Sequence, residues 1–252
     1  EEEAKLVLPS GEEVKLKKDN SSIVVSDDQK IIVDDEVLID ISEQKHVDEV
    51  IKMNEVIIPY GKKSQIVLDD GTKVWLNAGS RLAFPSRFTG KIREVFLEGE
   101  AYFEVEEVPG QLFLVNAGDI TAKVLGTRFD ISAYAEDSEV TAVLLEGCIA
   151  LSDNLSKALV KKETILESGQ KASFNKDIRT VAVNMEKDAA FYIAWTEGWF
   201  RFYQENLTTV LKKLERYYKV ETEFSSPYDS NDLITGKLDL KDSIEDVMKV
   251  LA

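Results

Sequence analysis

The sequence predicts a mainly β protein, in which an antiparallel all-β domain, built as a sandwich or as stacked hairpins, precedes a small α/β domain with a βαβ repeat. Three observations support this fold class. A hairpin-like motif recurs along the chain, glycines separate short β-rich runs at intervals of about a strand and a turn, and the apolar period becomes helical after Asn184. The first two are typical of antiparallel sheets, and the third is typical of helices that alternate with strands.

Composition and charge limit the classes of function. The 252 residues are 44% apolar and 31% charged, which is typical of a globular protein that buries its own core. The net charge of −16 would repel a phosphate backbone, so nucleic acid is not expected as a partner. Residues 1–55 hold 16 acidic and seven basic residues. They are therefore predicted to form a distinct acidic, strand-rich segment that packs on the β domain or extends it.

An internal repeat predicts the first hairpins. Residues 5–16 (KLVLPSGEEVKL) and 65–76 (QIVLDDGTKVWL) align without a gap at an offset of sixty positions. Each has alternating apolar residues on both sides of a Ser-Gly or Asp-Gly pair, which can adopt the positive φ of a tight turn. A weaker third copy, residues 164–174 (TILESGQKASF), predicts a third hairpin.

Short β-rich runs fill the rest of the all-β domain. Glycines or aspartates separate nearly all of them, which is the rhythm of antiparallel strands joined by turns. The runs are residues 95–97, 101–105, 112–115, 120–125, 129–134, 140–145 and 149–151. We therefore assign residues 56–185 to one all-β domain.

The helical period begins near Asn206, which can cap a helix. Its apolar residues recur at i, i+3, i+4, i+7 and i+10 from Leu207, so they share one face. Predicted strands at 199–203 and 220–224 flank this helix and make a βαβ unit. A further strand at 233–240 and a capping box at 242–245 start a second unit. Residues 186–252 are thus predicted to form a small α/β domain whose fold continues beyond Ala252.

Several kinds of catalytic and cofactor site do not fit this sequence. No two glycines are closer than eight positions, so neither a dinucleotide-binding motif nor a phosphate-binding loop can be written. The only histidine, His46, is interpreted as a solvated surface residue, and Cys148 as an outward-facing, inert thiol. We therefore predict no catalytic residue, no cofactor, no metal site and no enzymatic activity.

A carbohydrate-binding or glycan-processing β module stays open as an alternative. Glu98 and Glu100 fall on one face of a predicted strand, where a glycosidase pair could stand, but Gly99 between them favours solvated rim residues. Trp75 and the window 191–203, with seven of the 22 aromatic residues, could bind a sugar. The window could also pack the two domains together or dock a protein partner.

Several long motifs resemble a known family. DDGTKVWLNAGS (69–80), IREVFLEGEAYFEV (92–105), VLGTRFDISAY (124–134) and LESGQ (166–170) occur in the order seen in the periplasmic domain of FecR-type anti-sigma factors. The run AWTEGWFRFYQENLTTVLKKLERYYKVETEF (194–224) resembles the C-terminal domain of that family. That domain is similar to the short N-terminal signalling domain of secretins and TonB-dependent transducers. Residues 1–55 resemble an additional segment typical of Bacteroidetes members.

The resemblance implies the periplasmic part of a single-pass inner-membrane protein. A cytoplasmic domain that binds an extracytoplasmic-function sigma factor and one membrane helix are expected upstream of Glu1. Contact with the sigma factor and with the membrane is expected only through those missing parts. The signal would come from the N-terminal signalling domain of a TonB-dependent outer-membrane transducer, and release of the sigma factor would follow.

The α/β domain supplies the expected partner-contact residues. An edge strand and a helix face of a small α/β unit can accept a partner by β-augmentation. The residues expected to make this contact are Trp199, Arg201, Tyr203, Leu207, Leu211 and Tyr217.

Overall fold

The structure is a computed structural model that describes residues 3–18, 20–26, 30–34, 36–40, 53–154, 163–223, 233–240 and 243–251. His46 lies outside the described residues. The part that precedes the C-terminal unit is named the β body, and its described residues form eighteen strands. They are β1 (Lys5–Val7), β2 (Glu13–Lys15), β3 (Asn20–Ser26), β4 (Lys30–Val33), β5 (Glu36–Asp40), β6 (Met53–Ile57), β7 (Lys63–Val67), β8 (Lys73–Leu76), β9 (Arg81–Pro85), β10 (Ile92–Glu104), β11 (Leu112–Ala117), β12 (Ile120–Val124), β13 (Arg128–Ala133), β14 (Glu139–Glu146), β15 (Cys148–Asp153), β16 (Glu163–Glu167), β17 (Gln170–Asn175) and β18 (Thr180–Met185).

The β body consists of two sheets that share β10. The first sheet has the order β2-β1-β6-β9-β10-β11-β12-β15-β16, and the second has the order β5-β4-β3-β7-β8-β10-β13-β14-β17-β18. Pairing is antiparallel except between β10 and β11 and between β3 and β7. The predicted mainly β, antiparallel class is therefore confirmed, with two parallel pairs that the turn pattern did not indicate.

The core lies between the two sheets as one continuous apolar cluster. Phe103 of the second sheet stacks on Phe129 with ring centroids 5.1 Å apart and meets Phe113 of the first sheet edge to face at 6.4 Å. The N-terminal strands join the same core, since Leu6 and Ile23 are fully buried in it. Residues 5–40 thus add strands to both sheets, with β1 and β2 in the first and β3 to β5 in the second.

A single strand, β10, replaces two predicted ones. The sequence predicts separate strands at 95–97 and 101–105 with a turn at Gly99, but β10 runs unbroken for 13 residues. Residues 92–98 belong to the first sheet and residues 99–104 to the second. Gly99 has φ +94° and lies against Ser80, where a Cβ atom would be 2.7 Å from Ser80 Cα. The positive φ therefore redirects the strand from one sheet to the other instead of reversing it.

The repeat forms hairpins in only two of its three copies. β1 pairs with β2 and β7 pairs with β8, as the first two copies predict. The hairpin predicted for the third copy is wrong, because β16 pairs with β15 in the first sheet while β17 pairs with β14 in the second. Leu166 of β16 and Phe174 of β17 are both buried in the core. Strands on opposite sheets enclose these side chains from two sides, and an isolated hairpin could not.

The C-terminal unit follows β18. It comprises a 3₁₀ helix (Ala189–Glu197), β19 (Trp199–Asn206), α1 (Leu207–Tyr218), β20 (Leu233–Asp239) and α2 (Ile244–Leu251). β19 and β20 pair antiparallel. Asn206 caps α1 as predicted, and its side chain accepts a 2.8 Å hydrogen bond from the Thr208 N–H. None of the helices in the described ranges is long and apolar enough to span a membrane.

Two local predictions for this unit are corrected. The strand predicted at 220–224 does not form in residues 220–223, the part of it that the structure describes. There the backbone turns back on α1, because Lys219 has φ 55° and the Glu215 carboxylate accepts hydrogen bonds from Thr222. The cap of α2 is also one position later than predicted, since Ser243 Oγ accepts from the Asp246 N–H at 3.2 Å.

Candidate partner-binding interface

The outer face of β19 carries aromatic and cationic side chains. Phe200 and Phe202 point inward and are buried, whereas Arg201 and Tyr203 alternate with them and are exposed, and Trp199 is half-buried. Three cations lie over rings: Lys237 Nζ is 3.3 Å from the Trp199 centroid, Arg201 Cζ 5.1 Å from Phe191, and Lys187 Nζ 5.3 Å from Tyr203. We name Trp199, Arg201, Tyr203, Lys187 and Lys237 the cation–aromatic face.

This face combines charge with apolar area in a strongly acidic chain. A cation held over an aromatic ring keeps its charge while it shields the ring, so the face can bind both carboxylates and apolar groups. A shallow pocket within it is lined by Lys187, Phe191, Arg201 and Tyr203, and also by three acidic residues, Glu186, Asp188 and Glu205. Among the described residues, β19 and β20 pair with each other alone, so each has an outer edge without a strand partner.

The structure brings together only half of the expected contact residues. Trp199, Arg201 and Tyr203 lie on the cation–aromatic face, but Leu207, Leu211 and Tyr217 pack in the apolar cluster of the C-terminal unit. Leu211 is buried, and the Tyr217 hydroxyl donates to the Leu240 carbonyl at 3.1 Å. The helix face that we expected to meet a partner thus contacts the unit's own strands and the β body.

The C-terminal unit docks on the second sheet through Arg216 of α1. Its guanidinium is buried and lies 2.8 Å from the carboxylates of both Glu136 and Asp137, in the turn between β13 and β14. It also covers the Tyr134 ring, with 3.6 Å between Cζ and the ring centroid. Lys212 adds a 3.0 Å ion pair to Asp137. Because these groups are partly shielded from water, the contacts fix the orientation of α1 more firmly than surface ion pairs would.

A second contact lies at Trp195 of the 3₁₀ helix. The Trp195 indole N–H donates to Asp130 Oδ1 at 3.3 Å, and Lys63 Nζ donates to the Trp195 carbonyl at 2.8 Å. Tyr102 and Trp75, whose ring centroids are 5.1 Å apart, pack in the same apolar cluster as Trp195. The docked surface therefore mixes an apolar centre with buried hydrogen bonds.

Two carboxyl groups are buried beneath the docked unit. Glu100 accepts a 2.5 Å hydrogen bond from Asn77, and Asp130 accepts the bond from Trp195. Burial raises the pKa of Glu100, and it raises the pKa of Asp130 well above its usual value, with the nearby Glu100 charge adding to the second shift. Glu100 also lines a polar cavity of about 390 Å³ between the second sheet and α1, together with Lys171, Lys213 and Arg216.

We expect these two groups to make the fold less stable as the pH rises. An acid whose pKa is raised on folding stabilises the native state below its unfolded pKa of about 4, and this contribution is lost as the pH rises through the native pKa. The Asp130→Asn variant should therefore gain stability relative to the parent as the pH rises above about 4. Urea denaturation over a pH series measures this difference.

Asp137→Asn is the matched control for this prediction. Burial raises the pKa of Asp137, but hydrogen bonds from Arg216 and Lys212 outweigh it and leave the pKa lowered. Its contribution is therefore complete above its unfolded pKa of about 4, so this variant should lose a constant amount of stability over the series. A difference for Asp130→Asn that did not change with pH would contradict the expectation.

The described geometry does not support a glycan site at the two glutamates. Glu98 is exposed on the first sheet, whereas Glu100 is buried on the second, so the single strand face expected for the pair is wrong. The cause is Gly99, whose positive φ redirects the strand between them. Trp75 packs on Tyr102 rather than standing free as a sugar platform. Cys148 is exposed, as predicted.

The docking contacts were not identified from the sequence. Asp130 alternates with the inward Phe129 and Ile131, and an acidic residue at such a position is typical of a solvated outer sheet face, so it was not singled out. Nothing in that alternation indicates that a second unit covers the face. The aromatic window 191–203 was the one available signal, since Trp195 lies inside it.

Comparisons with known proteins agree with this architecture. The family described as "FecR protein" matches residues 54–150, and the family described as "FecR, C-terminal" matches residues 199–252. Two crystal structures of a candidate anti-sigma factor from Parabacteroides distasonis ATCC 8503 match with 31% sequence identity and a TM-score of 0.71. The matches cover 78% and 79% of this chain and 89% and 90% of those chains. No curated protein matches in sequence.

Proposed function

Because the chain belongs to the FecR family of anti-sigma factors, we propose that it is the periplasmic sensor portion of a single-pass inner-membrane regulator. In this proposal it receives a signal from the N-terminal signalling domain of a TonB-dependent outer-membrane transducer. It then controls release of an extracytoplasmic-function sigma factor that a cytoplasmic domain outside this chain holds. Family membership supports the regulatory role, and we expect no catalytic activity.

The observation that carries the proposal is the cation–aromatic face. The C-terminal unit is held on the β body through Arg216 and Trp195, and Arg201 and Tyr203 of the face stay exposed. Aromatic and arginine side chains supply most of the binding energy at protein interfaces. The proposed partner surface therefore presents carboxylates and apolar groups to this face, beside the open edges of β19 and β20.

The proposal also assigns roles along the chain. Residues 1–55 are the N-terminal segment, whose described strands β1 to β5 extend the two sheets, residues 56–185 are the β domain, and residues 186–252 are the signalling unit. Since the unit is docked through hydrogen bonds and ion pairs as well as apolar contacts, a partner bound to its outer face could act on that docking. A partner can shift the docking only by binding the docked and undocked arrangements with different affinity.

Binding to the transducer is the direct test. Titration calorimetry would measure the affinity of the chain for isolated N-terminal signalling domains of TonB-dependent transducers from the same bacterium. We expect one of them to bind, and the double variant Arg201→Glu with Tyr203→Ala to weaken that binding roughly tenfold or more. The reason is that this variant removes two exposed members of the cation–aromatic face and reverses one charge.

Arg81→Glu is the matched control, because the Arg81 side chain is 51% exposed and lies on the first sheet, away from the face. This control should leave the affinity unchanged. Equal loss of affinity in both variants would indicate a general charge effect and would count against the assigned surface. Failure of every signalling domain to bind the folded parent chain would overturn the proposed partner.

A further inference from the structure

Strand β18 is an open edge with unusual side chains. All six of its residues, Thr180–Met185, are exposed, and among the described residues it pairs only with β17. It contains no charged residue, no proline and no bulge, which are the devices that normally keep sheet edges from pairing. Val181, Val183 and Met185 are 36%, 38% and 67% exposed.

The other outer edges of the β body are protected. β2, β5 and β16 end the two sheets elsewhere within the described ranges, and each carries two or more charged residues. β18 also extends the core face of its sheet, because Val181 lies opposite the buried Phe174 and Val183 opposite the buried Ala172. Its apolar side chains thus continue the core beyond the point where the first sheet covers it.

We propose that β18 pairs antiparallel with β18 of a second copy of this chain, around a two-fold axis at Ala182. Residues of an antiparallel strand alternate in the edge to which their N–H and C=O point. Two residues that lie directly opposite each other must both point these groups towards the shared edge, or both away from it. Since such residues are an even number of positions apart, the two-fold axis passes through a residue and not between two residues. Val181, Ala182 and Val183 are then the central choices.

The axis at Ala182 gives the most complementary pairs. Val181 lies opposite the partner's Val183 on the core face, and Thr180 lies opposite the partner's Asn184 on the other face. The same register brings Asp177, exposed in the turn before β18, towards the partner's Lys187. An axis at Val183 would instead bring Arg179 towards the partner's Lys187, and like charges opposite each other are unfavourable. An axis at Val181 would place Arg179 opposite the partner's Val183 and would lose the valine pair. Because of the two-fold symmetry, each favourable pair forms twice in the dimer. The uncharged edge of β18 is therefore complementary to β18 of a second copy of the chain.

Sedimentation equilibrium on the chain 1–252 tests the proposal. The mean mass should rise towards twice that of one chain as the concentration increases from micromolar to submillimolar. Val183→Lys should weaken this dimer roughly tenfold or more, because it places a charge on both copies at the paired edge. Ile165→Lys is the control, since Ile165 is a 54% exposed apolar residue of the other sheet. It should leave the dimer unchanged.

A charge reversal at two exposed side chains tests the register. Asp177→Lys and Lys187→Asp should each weaken the dimer, and the double variant should restore it. A chain that stays monomeric at all concentrations would overturn the proposal. So would a dimer that Val183→Lys does not weaken, or one whose charge variants show no restoration in the double variant. Lys187 also belongs to the cation–aromatic face, so Lys187→Asp can affect both surfaces. Val183→Lys changes only β18, and the two proposals are therefore distinguished by this variant: it should weaken the dimer and leave transducer binding unchanged.

Discussion

Replacement of Arg93 by alanine is expected to lower the free energy of unfolding by about 3–5 kcal/mol. Arg93 is fully buried in the first sheet, and its Nη1 lies 2.6 Å from Asp70 Oδ2 and 2.8 Å from the Glu106 carbonyl. Its Nη2 donates to the Leu125 carbonyl at 3.2 Å, and its guanidinium covers the Phe113 ring. The variant would leave the buried Asp70 carboxylate without its cationic partner and two carbonyls without donors.

The position of this pair explains why the loss is large. Asp70 lies in the turn between β7 and β8 of the second sheet, where its carboxylate also accepts from the N–H and hydroxyl of Thr72. Arg93 therefore connects a turn of one sheet to a strand of the other across the corner of the sandwich. Loss of the guanidinium removes that connection and exposes the turn to rearrangement.

Lys123→Ala provides the comparison for Arg93. Lys123 forms a 2.5 Å ion pair with Glu163, but both side chains are more than a third exposed, so the loss should be below about 1 kcal/mol. Urea denaturation measures both variants. The double variant Arg93→Met with Asp70→Asn should recover part of the lost stability, because it removes both buried charges. Equal losses for Arg93→Ala and Lys123→Ala would show that the buried pair is not important.

The second large effect is expected at Gly99, where alanine should cost about 3 kcal/mol or more. Gly99 has φ +94°, a conformation that L side chains rarely adopt. In addition, the new Cβ would lie 2.5 Å from Ser80 Oγ and 2.7 Å from Ser80 Cα. Ser80 cannot move away freely, because its hydroxyl donates to the Glu100 carbonyl and accepts from the Glu100 N–H.

Gly90→Ala separates the two causes. Gly90 has φ +85°, but a Cβ there would meet no atom within 4 Å, so its cost should be the conformational one of about 1–2 kcal/mol. The larger loss at Gly99 would then measure the clash with Ser80 at the point where β10 passes between the sheets. Thermal and urea denaturation of both variants gives the comparison. A Gly99→Ala loss no larger than that of Gly90→Ala would contradict the assigned role.

Local features of the structure followed from local sequence. The hairpins at β1–β2 and β7–β8 form where the pattern predicts them, and Gly11 and Gly71 have the expected positive φ. α1 begins at Asn206, because a capping side chain and an apolar period act within a few residues. These elements depend on interactions between residues that are close in the chain, and a sequence pattern describes those residues directly.

Predictions failed where a distant segment decided the outcome. Gly71 and Gly99 both have a positive φ, but Gly71 lies in a hairpin turn whereas β10 continues through Gly99. At Gly99 the strand packs against Ser80 and continues in the second sheet. Leu211 points inward for the same kind of reason: an amphipathic face has the same pattern whether a partner or the chain's own strands cover it. Asp130, for which no prediction was made, is buried and accepts a hydrogen bond from Trp195, which lies 65 positions later in the chain.

The sequence by itself determined the mainly β class, the local turns, the helix α1 and the family, because each depends on residue spacing and on motifs that are contiguous in the chain. Only the tertiary structure decided which strands share a sheet, which carboxyl groups are buried and which face of the C-terminal unit stays exposed. Those outcomes depend on burial of apolar area between segments far apart in sequence, and periodicity does not contain that information.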